Sequence, residues 1–302
     1  MFVVDSLPYR GYIRNAILPL GKVERHFDCI MLGYRSGIER EGRLSLDKLH
    51  QSMRGPFDAS QASSVLSLPV PETRKFLSHL ARQGWLARVR RGLYTVVPLG
   101  ATVPQDWRED PWKVAARLYA PCFITGWSAC EHWGLTEQVF GDIVIFTSCA
   151  IRERVQVIQS TTFRLKKVAP DLMFGTVPVW RDGVKVLVAD PTRAVIDMLD
   201  DPSVGGGIKH VAEVISAYFE SEGREDSKLL DYASRIGNRS IYKRLGYLIE
   251  ALAIDAKDLG EECLRRQSSG LVLFDPAGRP GGHILTRWHL RVNAHVGSDV
   301  PT

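Results

Sequence analysis

Residues 58–97 read DASQASSVLSL (58–68), PVPETRKFLSHLARQGW (69–85) and LARVRRGLYTVV (86–97). Asp58 is a good helix N-cap, and Ala62, Val65 and Leu66 follow it at helical spacing. Pro69-Val70-Pro71 supplies a turn and the first positions of a second helix, where proline is tolerated. Within Glu72–Gln83, Thr73, Phe76, Leu77 and Leu80 share one face. Arg74, Lys75, Ser78, His79 and Arg82 share the other, inside an arc of roughly 140° at 3.6 residues per turn. Gly84 stops this helix. Trp85–Val89 and Leu93–Val97 are rich in strand-forming residues and flank Arg90-Arg91-Gly92, a hairpin signal. A helix, a turn, a basic helix and an arginine-tipped ribbon in that order predict a winged helix-turn-helix. Such a module lays its second helix in the DNA major groove and its ribbon against the backbone.

Charge supports the same reading. From Arg43 to Gly100 there are nine lysines and arginines against three acids, a net +6, while the whole chain carries only +5. Positive charge this localised is the footprint of a phosphate partner. On this basis Arg74, Lys75, Ser78, His79 and Arg82 are expected to face base edges, and Arg88, Arg90 and Arg91 to hold phosphates or enter the minor groove.

The chain has 302 residues, a length that favours two domains. We expect an extension at 1–22, a winged helix-turn-helix domain at 23–100 and a larger α+β domain at 111–302, with Pro98–Pro111 as linker. Apolar residues from Val23 to Ile38 recur at helical spacing and Gly42 breaks the pattern; Leu44–Met53 then reads as a short strand or turn entering another helix. Beyond the linker, Asp110 caps a helix and Pro121–Gly126 forms a short buried strand. Ser128 and Glu131 have the spacing of a capping box. Ile143–Thr147, Arg154–Gln159 and Thr161–Val168 read as strands, and Phe174–Val179 with Val184–Ala189 as a hairpin. Asp190 caps another helix, Gly205-Gly206-Gly207 reads as a flexible link, and three helices follow before closing strands at 271–274 and 288–292. Strands and helices mix without strict alternation, so the fold class is α+β.

The five cysteines, Cys29, Cys122, Cys130, Cys149 and Cys263, are odd in number and scattered, which argues against a disulfide framework or zinc knuckle and for a reducing cytoplasm. No signal peptide and no membrane-length apolar run is visible. The chain lacks GxxxxGK[ST] and a strand-flanked GxGxxG, and no cofactor is implied. Cys130, Glu131 and His132 are adjacent and cannot share a ligand face, so no metal site is expected. Asp142, Asp190 and Asp197 form a magnesium-dependent nuclease centre only if the fold gathers them. A DNA-targeted nuclease of that kind and a ligand-sensing regulator are the alternatives to a plain DNA binder. A late basic cluster, Arg235, Arg239, Lys243 and Arg244, offers a second DNA-contact surface, because Arg239 and Lys243 lie one helical turn apart.

With these residues in view, the chain resembles the AbiEi family, antitoxins of type IV abortive-infection toxin–antitoxin systems. The likeness runs from about Ser60 to Asn293. It rests on the helix pair with GWLARVRRGLYTV, then FITGWSACEHWGL, VLVADPTRAVIDML, SIYKRLGYLIEAL, and finally LFDP with RWHLRVN. The resemblance implies a non-enzymatic, two-part protein. Its winged helix represses its own operon at inverted repeats, and its carboxyl-terminal domain counters a nucleotidyltransferase-like toxin, with no stable complex required.

Overall fold

The computed structural model describes residues 37–297. The extension expected at 1–22 and most of the helical pattern from Val23 to Ile38 lie outside these residues.

The first elements are α1 (Arg40–Ser52), β1 (Phe57–Asp58), α2 (Ala59–Leu66), α3 (Val70–Arg82), β2 (Leu86–Arg90) and β3 (Leu93–Val96). The three strands pair in the order β1-β3-β2, all antiparallel. Helix, strand, helix, helix and winged hairpin is the winged helix-turn-helix order. Gly42 does not break a helix; it lies in the first turn of α1, which runs unbroken through the 44–52 stretch expected to open as a strand or turn. α1 tolerates this glycine because Leu46 and Leu49 anchor the helix in a core with Phe57, Leu66, Leu77, Leu80, Leu86 and Tyr94.

Asp58 caps α2 as its chemistry suggests. Its Oδ1 accepts from the amides of Ser60 (2.8 Å) and Gln61 (3.0 Å). Gln61 returns the bond by accepting from the Asp58 amide at 3.1 Å, completing a capping box. α3 follows directly from Pro69, and Thr73 turns its hydroxyl back to the Pro69 carbonyl at 3.1 Å, which leaves its methyl for the core.

The larger region is built on a six-stranded mixed sheet, order β6-β7-β5-β4-β9-β8. Its strands are β4 (Cys122–Ile124), β5 (Asp142–Thr147), β6 (Val155–Ile158), β7 (Thr161–Lys167), β8 (Thr176–Arg181) and β9 (Val184–Ala189). β5–β7 and β4–β9 are parallel and the other pairs antiparallel. The helices are α4 (Pro111–Leu118), α5 (Gly126–His132), α6 (Pro191–Asp200), α7 (Ile208–Glu220), α8 (Asp226–Ile236), α9 (Ser240–Ala251) and α10 (Lys257–Arg266). β10 (Val272–Leu273), β11 (His283–Leu285) and β12 (Leu290–Val292) form a small sheet, order β10-β12-β11. The class is α+β.

α6 is the centre of this region, with every residue from Thr192 to Leu199 buried. Three local readings change. α5 opens at Gly126, so Ser128 is not its cap; the Ser128 hydroxyl instead accepts from the Val144 amide at 3.1 Å and ties the helix to β5. Gly205-Gly206-Gly207 is no loose link: Gly205 is buried and its carbonyl meets the His210 ring at 2.7 Å. α10 and β11 were not expected; α10 is periodic but polar overall, burying only Leu259 and Cys263, and β11 is three residues long. At Gly246, a Cβ would run into the buried Trp288 ring, so glycine is what lets the terminal segment close over α9.

The two regions meet in a third apolar cluster. Val89 and Leu93 of the wing strands bury against Val114, Ala115, Tyr119, Phe163 and Leu165. The stretch 98–110 contains no helix or strand, yet its end is anchored. Buried Glu109 accepts from the Thr95 hydroxyl and pairs with Lys113 at 2.7 Å. Lys113 also reaches Asp182 (3.2 Å), and Arg117 joins the α2 cap through Asp58 (2.8 Å) and Gln61 (2.9 Å).

Candidate nucleic-acid interface

α3 has 13 residues, about 20 Å of helix at 1.5 Å per residue, enough to lie in a major groove some 12 Å wide. Thr73, Leu77 and Leu80 are buried against α1 and α2. The opposite face carries exposed Arg74, Lys75, His79 and Arg82 with half-buried Ser78. The burial pattern follows the helical periodicity, except that Phe76, expected on the buried face, is only half-buried.

In the wing, Arg90 and Arg91 are exposed at the tip, where Gly92 takes φ +81° to close the turn. The register between β2 and β3 slips between Arg88 and Arg90, a bulge at Val89. Leu86 joins the core of the helices, while Val89 joins the cluster shared with the larger region. The arginines on either side stay in solvent. The Arg88 guanidinium lies 5.6 Å from the Tyr94 ring centroid, which steadies its stem.

Among the described residues, none of Arg74, Lys75, Arg82, Arg88, Arg90 and Arg91 pairs with a carboxylate. Cations elsewhere on the surface often do, including Arg117, Arg164, Lys166, Arg224 and Arg287. A paired cation is already neutralised, whereas an unpaired one can release counterions on meeting a phosphate.

The second surface does not form as expected. Lys243 is fully buried and donates to the Gly270 carbonyl; burial, together with neighbouring Arg244, holds its ammonium below the ordinary value. Arg244 is also buried and donates to the carbonyls of Leu199 (2.8 Å), Phe274 (3.1 Å) and Leu273 (3.2 Å). Both brace the 270–274 segment against the helices. One-turn spacing places residues along one side of a helix, but it does not say whether that side faces water. Arg235 sits over the Phe174 ring, 3.5 Å from its centroid, and lies 4.0 Å from Asp231; Arg239 is exposed.

The three aspartates of the nuclease reading are not gathered. Asp142 pairs with Arg164 at 2.6 Å. Asp190 caps α6 through the Arg193 amide (2.8 Å) and accepts from the Tyr232 hydroxyl (2.9 Å). Asp197 is fully buried between Arg193 (2.8 Å) and the Thr125 hydroxyl (2.7 Å). Burial raises its carboxyl to about 6, against the opposing pull of those two partners. Among the described residues no three His, Cys, Asp or Glu side chains come together as a metal set. Cys130 packs on the Met198 sulfur, and His132 edges Trp112 and Trp133.

No helix among the described residues is long and apolar enough to cross a membrane. Nothing among curated proteins matches the chain. Among solved structures, the fold is similar to the RV2827C protein from Mycobacterium tuberculosis, with a TM-score of 0.61 over 86% of this chain and 93% of that one at 15% identity. Residues 45–97 match the family model for the transcriptional regulator AbiEi antitoxin. Those residues run from Ser45 within α1 through the end of the wing, so the winged helix-turn-helix is the part of the chain that is similar to the AbiEi antitoxin transcriptional regulators.

Proposed function

We infer that the chain is a sequence-specific DNA-binding autorepressor that also serves as the antitoxin of a type IV system. The observation that carries this is the exposed basic face of α3 continued by wing arginines, none of them neutralised by a carboxylate among the described residues. Arg74, Lys75, Ser78, His79 and Arg82 read base edges in inverted operator repeats, and Arg88, Arg90 and Arg91 hold the backbone. The domains are 23–100 for DNA and 111–302 for antitoxin activity, with 1–22 as an extension. The functional partner is a nucleotidyltransferase-like toxin in the cytoplasm, countered without an obligatory stable complex. No residue has a catalytic role in this reading.

The test is a salt titration of DNA affinity. Changing Arg90 and Arg91 to Ala lowers the slope of log K against log salt by about 0.9 for each lost phosphate contact, on cognate and scrambled DNA alike. Arg74→Ala instead costs about 1–3 kcal/mol of discrimination at one base position. A slope unmoved by the wing change, or equal losses on both DNAs for Arg74→Ala, removes those residues from the interface. Rescue of growth when the chain is expressed with the nucleotidyltransferase gene beside its own tests the antitoxin half.

A further inference from the structure

A cleft of about 410 Å³ opens beside the recognition helix, between the end of α3, the outer side of β2, residues 104–108 and the β6–β7 turn. Arg82, Arg88 and Arg108 are among the residues that line it, together with Trp107, Gln159 and Ser160, and no acidic residue among the described residues does. Arg108 lies outside the segment matched by the family model. It is exposed, pairs with no acid among the described residues, and spends one Nη1 on the carbonyls of Gln105 (2.9 Å) and Trp107 (3.1 Å), which fixes its direction. The opposite wall is also held. Gln159 donates to the Arg88 carbonyl (3.4 Å) and accepts from the Glu109 amide (3.2 Å). Gln159 and Ser160 both take left-handed backbone, φ 48° and 67°, two consecutive non-glycine residues in a conformation that costs free energy unless the surroundings impose it.

We propose that this cleft seats a backbone phosphodiester of the operator, flanking the groove read by α3, with Arg108 as a phosphate ligand supplied from outside the winged helix. The assignment rests on the DNA-binding reading above. Three arginines that line one opening and pair with no acid among the described residues suit an oxyanion, because a guanidinium fork can grip two oxygens.

The experiment measures DNA affinity of the full chain across salt concentrations. Arg108→Ala makes the slope shallower by about 0.9 and weakens cognate and scrambled DNA by the same factor. Arg108→Lys keeps the charge and most of the slope. Ser160→Asp places a carboxylate at the rim without touching the Arg108 carbonyl bonds, tolerates the left-handed backbone, and lowers affinity and slope in the same way. Unchanged slopes in both Arg108→Ala and Ser160→Asp overturn the seat while leaving the effects of Arg74 and the wing arginines intact. A wild-type chain without affinity for DNA overturns the reading beneath it. Saturable micromolar binding of inorganic phosphate with an unchanged DNA slope assigns the cleft to a free phosphorylated compound, and overturns the DNA assignment.

Discussion

Arg74 and Arg244 are the same residue type, each on a helix, and they differ in what surrounds them. Arg74 stands in water with no acid beside it; Arg244 ends among three carbonyls of the interior. Replacing Arg244 with Ala strands those acceptors, and each unsatisfied buried group costs about 1–3 kcal/mol. Urea unfolding of Arg244→Ala is therefore expected to show a loss of at least about 2 kcal/mol, with DNA affinity of the folded protein kept. A surface residue would give a change near zero. Asp197 gives a pH signature. Its folded carboxyl titrates near 6, above the ordinary 3.8, so the folded state holds the proton more tightly than the unfolded chain. This contribution is full below about pH 4 and is lost as pH rises to about 6; stability falls across that window. Denaturation at several pH values should show the fall in the wild type and not in Asp197→Asn. The exposed basic face of α3 was legible because a 3.6-residue period separates the two faces of the helix. Arg244 was misread because its helix is covered all round, and no local pattern reports that.

At the scale of elements, short-range chemistry decided most boundaries. Asp58, Asp110 and Asp190 each cap the helix that follows them, as their side chains suggest. Removing the first cap by Asp58→Ala should cost about 0.5–2 kcal/mol, read as a lower melting temperature. Arg117 touches the same carboxylate, but both side chains are more than a third exposed, so that ion pair adds less than about 1 kcal/mol. A loss well above the cap range would point to a larger role for the Arg117 contact. Boundaries were missed where tertiary partners outweighed local preference. Gly42 is tolerated because Leu46 and Leu49 fix the helix from inside, and Ser128 gives its hydroxyl to β5 rather than to a helix end. The six-stranded order, with β4 and β9 parallel across a long connection, has no short-range signature at all.

For the whole molecule, the decisive feature is the joint at Glu109 and Lys113. Burial opposes the Lys113 charge, but Glu109 and Asp182 outweigh it and hold the ammonium above its ordinary value. Lys113→Met leaves Glu109 as a buried charge without its partner, and a loss of about 3–5 kcal/mol is expected. The double change Glu109→Gln with Lys113→Met should recover part of that loss; no recovery in calorimetry would mean that the pair is not the joint's main tie. Nothing in the irregular run 98–110 foretold the joint, since Glu109 lies within the run but its partners Thr95 and Lys113 lie on either side of it. Its consequence is thermodynamic. Val89 and Leu93 of the wing bury against Phe163 and Leu165, and Gln159 of the β6–β7 turn holds the Arg88 carbonyl, so a molecule that stabilised this packing from the larger region would also steady the wing. Linkage makes the effect mutual: a tenfold gain in DNA affinity, about 1.4 kcal/mol, requires a tenfold gain for that molecule on the DNA-bound protein.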